Sequence, residues 1–426
     1  VNAAQRTGNE PIVVGGGISV MSNPEPVSDF FDIFLMGDIE MVINPFVEKY
    51  KELSLKKRDE TIEELSTFEW AYNPGHLKVE YGINGTIASF MPADFHVKIK
   101  RHDATPLGFS SIITDRTEFS NMFLVEGTRG CPSQCLFCIL GNSYEFVYDR
   151  FLPIGADTKD IGIIGGGVSF HPHIVEIVKE LKEKGKRVHF PSLRIEKIPL
   201  SVIELIKDEI KTLTFGIEAG TERLRRSIGK PLKDDEIFDK LEAILAIKPF
   251  NLKLYFMIGL YGENIQDIEA IIDLVKHMNH LMIKRGAKRG FVGSITIHAS
   301  PFVPKPATPF QWLPMNDMDE LKDKISRLKR SIAKLDNTYF THESVKYSYI
   351  QGVLARGDRR LSGVVLKFAS GENLTRIAKD SAVNLNFFAL RERQHDELFP
   401  WDFIAGRKTK KWLYKVQERM RSNLYL

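Results

Sequence analysis

Between Asn121 and Ser300 six short apolar runs alternate with amphipathic helical stretches, a pattern that few folds can satisfy. The runs lie near 122–126, 161–166, 187–193, 212–219, 252–260 and 293–300. Helical periodicity fills 172–184, 201–208, 234–247 and 264–285 between them. Such alternation implies a parallel sheet, because only a long crossover can return the chain to a parallel neighbour, and strand twist makes that crossover right-handed. Six such units can close into a partial barrel. Functional groups in these folds gather at the carboxyl ends of the strands.

The flanks read differently. Two β-branched runs at 11–17 and 31–37 end in glycine, enclose Asn23-Pro-Glu-Pro26 and lead into a helix from about Ile39. Continuous apolar runs of this kind read as buried parallel strands. Residues 1–53 are therefore expected to form part of an open α/β domain, its second half, with the first strands absent. Pro74, Gly75, Pro92 and Pro106 mark loops, so 54–119 is expected to be an irregular linker. The barrel is assigned to 120–312. The remaining 313–426 is expected to be mostly helical, beginning with an alternating-charge stretch at 317–336.

Composition narrows the class further. The 426 residues can bury one large core or two to three ordinary ones, and 43% hydrophobic content suits a globular chain. A formal charge of +4 from 59 basic and 55 acidic residues commits the whole chain to no polyanion. Basic residues concentrate at Arg407, Lys408, Lys410, Lys411, Lys415, Arg419 and Arg421, where a solvated helix face and an RNA-binding patch are both readings. No apolar run approaches the ~20 residues of a membrane span.

All three cysteines fall in one short stretch, Cys131-Pro-Ser-Gln-Cys135-Leu-Phe-Cys138. A disulfide framework needs an even number of cysteines spread over loops, and a structural zinc site needs a fourth Cys or His at ligand spacing. The C-x-x-x-C-x-x-C spacing instead fits a 4Fe-4S cluster held by three thiolates, which leaves one iron without a protein ligand and open to chemistry. Clustered reduced thiols place the chain in a cytoplasmic, low-potential environment.

Glu126-Gly-Thr-Arg-Gly-Cys131, running into that motif, resembles the radical S-adenosylmethionine (SAM) superfamily, and Phe137 before the third cysteine also matches. The resemblance implies that Cys131, Cys135 and Cys138 bind the cluster. It also implies that the open iron chelates the amino and carboxylate groups of SAM, which is cleaved reductively to a 5′-deoxyadenosyl radical. Gly165-Gly166-Gly167 stands where the superfamily has Gly-Gly-Glu, so Gly165 and Gly166 are expected to receive the methionyl amino group through backbone. Ser192 and Arg194, at the end of the third strand, are expected to approach the ribose or the methionyl carboxylate. Gly216-Ile-Glu218-Ala-Gly220 is similar to the superfamily's G-I-E-S-G segment. There Glu218 needs a partner, for which a ribose hydroxyl, a cation in the site and Arg223 are alternatives. Ile258, in the stretch Tyr255-Phe-Met-Ile-Gly-Leu-Tyr-Gly-Glu263, is expected to pack against adenine through backbone, with Tyr261 replacing the family's proline.

Four further stretches resemble a narrower group of these proteins, which carry an N-terminal cobalamin-binding domain. They are Phe302-Val-Pro-Lys-Pro-Ala-Thr-Pro-Phe-Gln-Trp312, Asn23-Pro-Glu-Pro26, Gly37-Asp38 with Glu40, and Leu398-Phe-Pro-Trp-Asp402. For the first of them a rigid proline-rich strap is the competing reading. The fold class expected is α/β: a partial (β/α)6 radical-SAM barrel with a partial, Rossmann-like cobalamin-type domain before it and a mostly helical region after it. Cobalamin is an optional cofactor on this resemblance, because the D-x-H-x-x-G axial-ligand motif is missing and Gly15 to Gly17 could line a corrin or simply turn. The implied partners are SAM, an electron donor such as flavodoxin or ferredoxin, and a substrate the sequence does not name. Methyl transfer, RNA modification, and a non-catalytic iron-sulfur sensor or RNA-binding protein all remain open. Arg356, Asp358, Arg359 and Arg360 read as helix ion pairing.

Overall fold

The computed structural model describes residues 2–8, 10–150, 152–154 and 158–424. The chain forms two compact units, one of Val1–His102, Val303–Met315 and Lys346–Val416, the other of Asp103–Phe302, Asn316–Val345 and Gln417–Leu426.

The second unit is the barrel. Its parallel strands are β1 (Phe123–Glu126), β2 (Asp160–Ile164), β3 (Arg187–His189), β4 (Thr212–Glu218), β5 (Asn251–Ile258), β6 (Ile295–Pro301) and β7 (Thr338–His342). The hydrogen-bonded order is β3-β2-β1 in one sheet and β4-β5-β6-β7 in the other, and a single Leu193 to Phe215 bridge joins them across the β3–β4 seam. Strand β7 lies within the stretch expected to be mostly helical. Its sequence Thr-Tyr-Phe-Thr-His is short and polar, and an edge strand half open to solvent carries little apolar signal. The six expected strands of the partial barrel are present, and among the described residues β7 adds a seventh, parallel to β6, while β3 stops sooner than the apolar run suggested.

Helices α1 (Ile174–Glu183), α2 (Leu200–Ile206), α3 (Asp234–Ile247), α4 (Ile265–Gly286) and α5 (Met318–Ile332) bury their apolar stripes against the outer face of the strands. Helix α4 starts at a capping box, in which the Asn264 side chain accepts from the Asp267 N–H (3.2 Å) and Asp267 accepts from the Asn264 N–H (2.9 Å). Strands β4, β5 and β6 alternate strictly: Leu213, Phe215, Ile217, Leu252, Leu254, Phe256, Ile258, Ile295, Ile297 and Ala299 are buried, and the residues between them are not. With side chains alternating across the pleat, the polar set comprising Thr214, Glu218, Lys253, Tyr255, Thr296, His298 and Ser300 shares the opposite face.

In the first unit, strand Val14–Gly16 pairs in parallel with Ile33–Leu35, and Ala71–Tyr72 adds an antiparallel edge. A helix over Ile39–Glu52 follows, as the sequence suggests. The expected linker is corrected. Residues 58–65 form a helix, a hairpin joins Lys78–Tyr81 to Ile87–Met91, and Val97–Lys98 pairs with Ile404–Ala405, so 54–102 is an integral part of this unit. Prolines that punctuate loops also sit beside short strands, and periodicity cannot register strands of two to four residues. The C-terminal region is mostly helical, with Val345–Arg356, Ser362–Ala369, Leu374–Asp380, Leu385–Ala389 and Lys410–Leu424.

The motifs that suggested a narrower group meet one another here. Gln311 Oε1 accepts from the Trp401 indole N–H (2.9 Å) and the Ala307 N–H (3.0 Å), and Trp312, Phe399, Trp401 and Leu413 form one apolar cluster. Glu25 is buried against Arg359 (2.8 Å) and the Tyr72 hydroxyl (2.5 Å), while Asn23 donates to the Ala355 and Gly357 carbonyls. Glu25, Arg359 and Tyr72 are therefore a tertiary tie between segments far apart in sequence, whereas Arg360 pairs locally with Asp358 (2.7 Å).

Candidate functional site

The cysteine loop leaves β1 through Thr128–Arg129, which pairs with Val147–Tyr148 and closes the loop at its base. Cys138 sits at the start of the short helix Ile139–Ser143. Backbone and amide bonds fix the loop: Leu136 N–H donates to the Ile228 carbonyl (2.9 Å), Cys138 N–H to the Cys135 carbonyl (3.1 Å), and the Asn142 amide to the carbonyls of Cys135 (3.1 Å) and Cys138 (2.8 Å). Gly229, at φ +76, lets its turn approach the loop so closely that a Cβ there would come within 2.7 Å of the Gln134 carbonyl.

Cys131, Cys135 and Cys138 line one cavity of about 670 Å³, together with Phe137, Gly165, Gly166, Ser192, Arg194 and Glu218. Nine of the ten residues singled out in the sequence thus share one space. Ile258 is the exception. Its side chain is buried in the core and its carbonyl accepts from Phe302 N–H (2.8 Å), while its neighbours Phe256 and Met257 line the cavity. The end of β2 needs glycine at position 165, where φ is +143 and a Cβ would overlap the Thr128 carbonyl and hydroxyl.

Charge around the cysteines is paired rather than free. Arg194 is held by Glu196 (2.7 Å) and donates to the Ser133 hydroxyl (2.8 Å), with Cys135 Sγ at 3.7 Å. Its guanidinium thereby ties the cysteine loop to the end of β3. Glu218 stands at a β-bulge with φ +74, strained for a residue with a side chain. Its partner is Lys230, whose ammonium reaches the carboxylate (2.9 Å) and the Gly216 carbonyl (2.6 Å). Arg223, an alternative partner on sequence grounds, pairs with Asp267 instead (2.6 Å).

The thiols fit an iron-sulfur cluster by donor chemistry and surroundings. Burial pushes the Cys131 and Cys138 thiols up, while the Ser133 N–H, with Arg194, works the other way at Cys131 and the Gly141 and Leu140 N–H groups do so at Cys138. Backbone donors aimed at sulfur favour the thiolate form that iron requires. Among the described residues no three His, Cys, Asp or Glu side chains converge on a point suited to a single metal ion. Ligands to a cube stand at separate corners and have no need to converge on one ion.

Lys230, Lys253, Tyr255, Thr214, Met257, Ser169 and Ser300 also line the cavity and were missed in the sequence. The signal for those on β5 was present: Leu252-Lys253-Leu254-Tyr255-Phe256-Met257 alternates with period two, which puts Lys253, Tyr255 and Met257 on one face. Lys230 gave no signal, because a turn between two helices brings it back under β4.

The basic run near the C-terminus is partly engaged. Lys410 binds Asp402 (2.5 Å) and the Glu397 carbonyl, Lys408 lies over Trp412 (4.5 Å), and Arg421 lies over Tyr261 (4.8 Å). Among the described residues no helix is long and apolar enough to cross a membrane.

Comparison with known proteins bears on both the segment before the barrel and the barrel itself. The family model for the N-terminal region of radical SAM proteins matches residues 1–74, and the model for the radical SAM superfamily matches residues 125–275. An uncharacterized protein of Methanocaldococcus jannaschii is 26% identical over 368 residues, covering 82% of this chain and 72% of that protein. Similar solved structures include coproporphyrinogen III oxidase of Escherichia coli, a radical SAM enzyme, at 15% identity and TM-score 0.27 over 41% of each chain. SuiB of Streptococcus suis, bound to SAM, is similar at 11% identity and TM-score 0.36 over 72% of this chain and 62% of that one. The cobalamin-dependent SAM radical enzyme OxsB, with aqua-cobalamin, is similar at 12% identity and TM-score 0.43 over 97% of this chain and 67% of that one. The chain thus spans less than half of the first of these structures and about two thirds of the others. On the two family models, which take in both the segment before the barrel and the strands that carry the cysteines, the chain belongs to the radical SAM superfamily.

Proposed function

We propose that Cys131, Cys135 and Cys138 hold three corners of a 4Fe-4S cluster and that the chain uses it on SAM as an enzyme of this superfamily. The observation that carries this reading is the meeting of three free thiols, backbone donors directed at two of them, and the strand-end residues in one cavity. When bound, cluster and SAM supply reductive cleavage to a 5′-deoxyadenosyl radical, the chemistry general to the family. Gly165 and Gly166 leave backbone bare for the methionyl amino group. Ser192 offers a hydroxyl to the ribose or methionyl carboxylate, and Glu218, held by Lys230, offers a carboxylate to the ribose. Arg194 acts as a positioning residue, because its bond to Ser133 and its approach to Cys135 fix the loop. Phe137, Leu140, Val168 and Met257 close apolar surface around the thiols, which protects a radical from water.

The reading includes a reduced flavodoxin- or ferredoxin-type donor and a cytoplasmic setting. Gly15, a candidate for lining a corrin, instead packs on the Phe34 ring, where a Cβ would come within 2.6 Å, so cobalamin and methyl transfer rest on resemblance alone. Replacing all three cysteines with Ala should abolish the broad absorbance near ~400 nm of anaerobically reconstituted protein. Unchanged absorbance would overturn the assignment.

A further inference from the structure

The barrel cavity extends well below the cysteines. Strand register sets its levels: Met257 faces Ser300 near the top, Tyr255 lies between Gly216 and His298, and Lys253 lies between Thr214 and Thr296. Four steps along the strand separate Met257 from Lys253, on the order of 13 Å. A ligand at the cysteine end therefore leaves the lower cavity for a second molecule.

Lys253 differs from the other cations lining this space. Lys230 is neutralised by Glu218 and Arg194 by Glu196. Among the described residues, Lys253 makes no hydrogen bond and no ion pair, and its ammonium lies 5.1 Å from the centre of the Tyr255 ring. The Tyr255 hydroxyl likewise has no protein partner among them. An ammonium that lines the cavity with only a ring face beside it is a donor for which an anionic group would supply the charge-assisted partner that the other two cations already have. The neighbouring His298 does not supply a competing cation. Its Nδ1 is shared with the Thr341 hydroxyl (2.9 Å), and burial, reinforced by Lys253, holds its imidazole below the ordinary value. Of the two carboxylates lining the cavity, Glu218 is paired and Glu118 is exposed at the edge.

We infer that the substrate carries an anionic group, a carboxylate or a phosphate, which Lys253 receives in the lower barrel with the Tyr255 hydroxyl as second donor. This rests on the reading of the upper cavity as the cluster and SAM site. The other end of the substrate then points up toward Met257 and the cysteines.

Titration calorimetry of the anaerobically reconstituted full chain with inorganic phosphate and, separately, with acetate tests the inference. Wild type should bind at least one of the two, and which one identifies the group. Lys253→Met should weaken that binding at least roughly tenfold, the worth of a charge-assisted bond, and Lys253→Arg should retain most of it. Circular dichroism and cluster absorbance of Lys253→Met show whether the fold is intact, and if it is not, the Lys253→Arg and wild-type isotherms decide. Wild type binding neither anion, or a folded Lys253→Met binding as tightly as wild type, overturns the inference. The parent reading fails separately, by absence of cluster absorbance or of 5′-deoxyadenosine from wild type.

Discussion

Removing Lys230 should unsettle the strained end of β4 more than any surface substitution could. Its side chain is 5% exposed and that of Glu218 18%, so Lys230→Met leaves a carboxylate mostly out of water, beside the Gly216 carbonyl, on a residue already at φ +74. Breaking a fully buried pair costs about 3–5 kcal/mol. Because Glu218 faces a cavity that water can enter, we expect about 2–3 kcal/mol. At about 2–4 °C per kcal/mol for a unit of this size, the thermal midpoint should fall by about 4–12 °C. Adding Glu218→Gln removes the orphaned charge and should restore most of the loss, since replacing both partners of a buried pair is often close to neutral. Thermal unfolding of the cluster-free protein, followed by circular dichroism, keeps metal loading out of the comparison. A single variant melting within about 1 °C of wild type, or a double variant no better than the single, would refute the idea that Lys230 compensates Glu218.

Three other perturbations separate local causes. Gly165→Ala meets backbone at positive φ, whereas Gly166→Ala meets only the movable end of Leu140 at 2.6 Å; the first should cut soluble yield and melting temperature sharply and the second mildly, and equal effects would contradict the close approach at β2. Arg194→Met should lower iron incorporation on reconstitution several-fold while leaving far-ultraviolet circular dichroism unchanged, because it loosens Ser133 and Cys135 without touching the core; full incorporation would show that the loop needs no clamp. His171 is buried with Nε2 toward the Asp149 carbonyl and Nδ1 accepting from the His173 N–H, and burial depresses its imidazole in the fold. The depressed base binds its proton more weakly folded than unfolded, so stability is full above the ordinary value of about 6.5 and falls as pH drops below it. Melting curves from about pH 5 to about pH 7.5 should show that slope in wild type and a flatter one in His171→Gln. Identical slopes would count against it.

The barrel was legible because its strands are fully buried on the helix side and its helices carry wide apolar stripes, both strong periodic signals. Strand β7 and the hairpin in 78–91 were not, since short half-exposed strands look like loops until a partner strand is known. The closeness of the three cysteines was visible in their spacing, and the structure places all three on one cavity. Partners were not visible: Arg194 with Ser133, Lys230 with Glu218, and Glu25 with Arg359 all join residues whose distance in sequence says nothing about their contact. The stretches 302–312 and 398–402 looked like group-specific motifs, and the physical reason for their pattern is that they pack on each other around Trp312 and Phe399.

Anaerobic reconstitution followed by reduction with dithionite in the presence of SAM bears most directly on the assignment. A cluster with one iron open to SAM predicts 5′-deoxyadenosine and methionine in wild type, and neither when Cys131, Cys135 and Cys138 are replaced by Ala. A wild-type protein that carries the cluster, is reduced, and releases no 5′-deoxyadenosine would contradict it and leave a redox sensor or structural cluster as the better account.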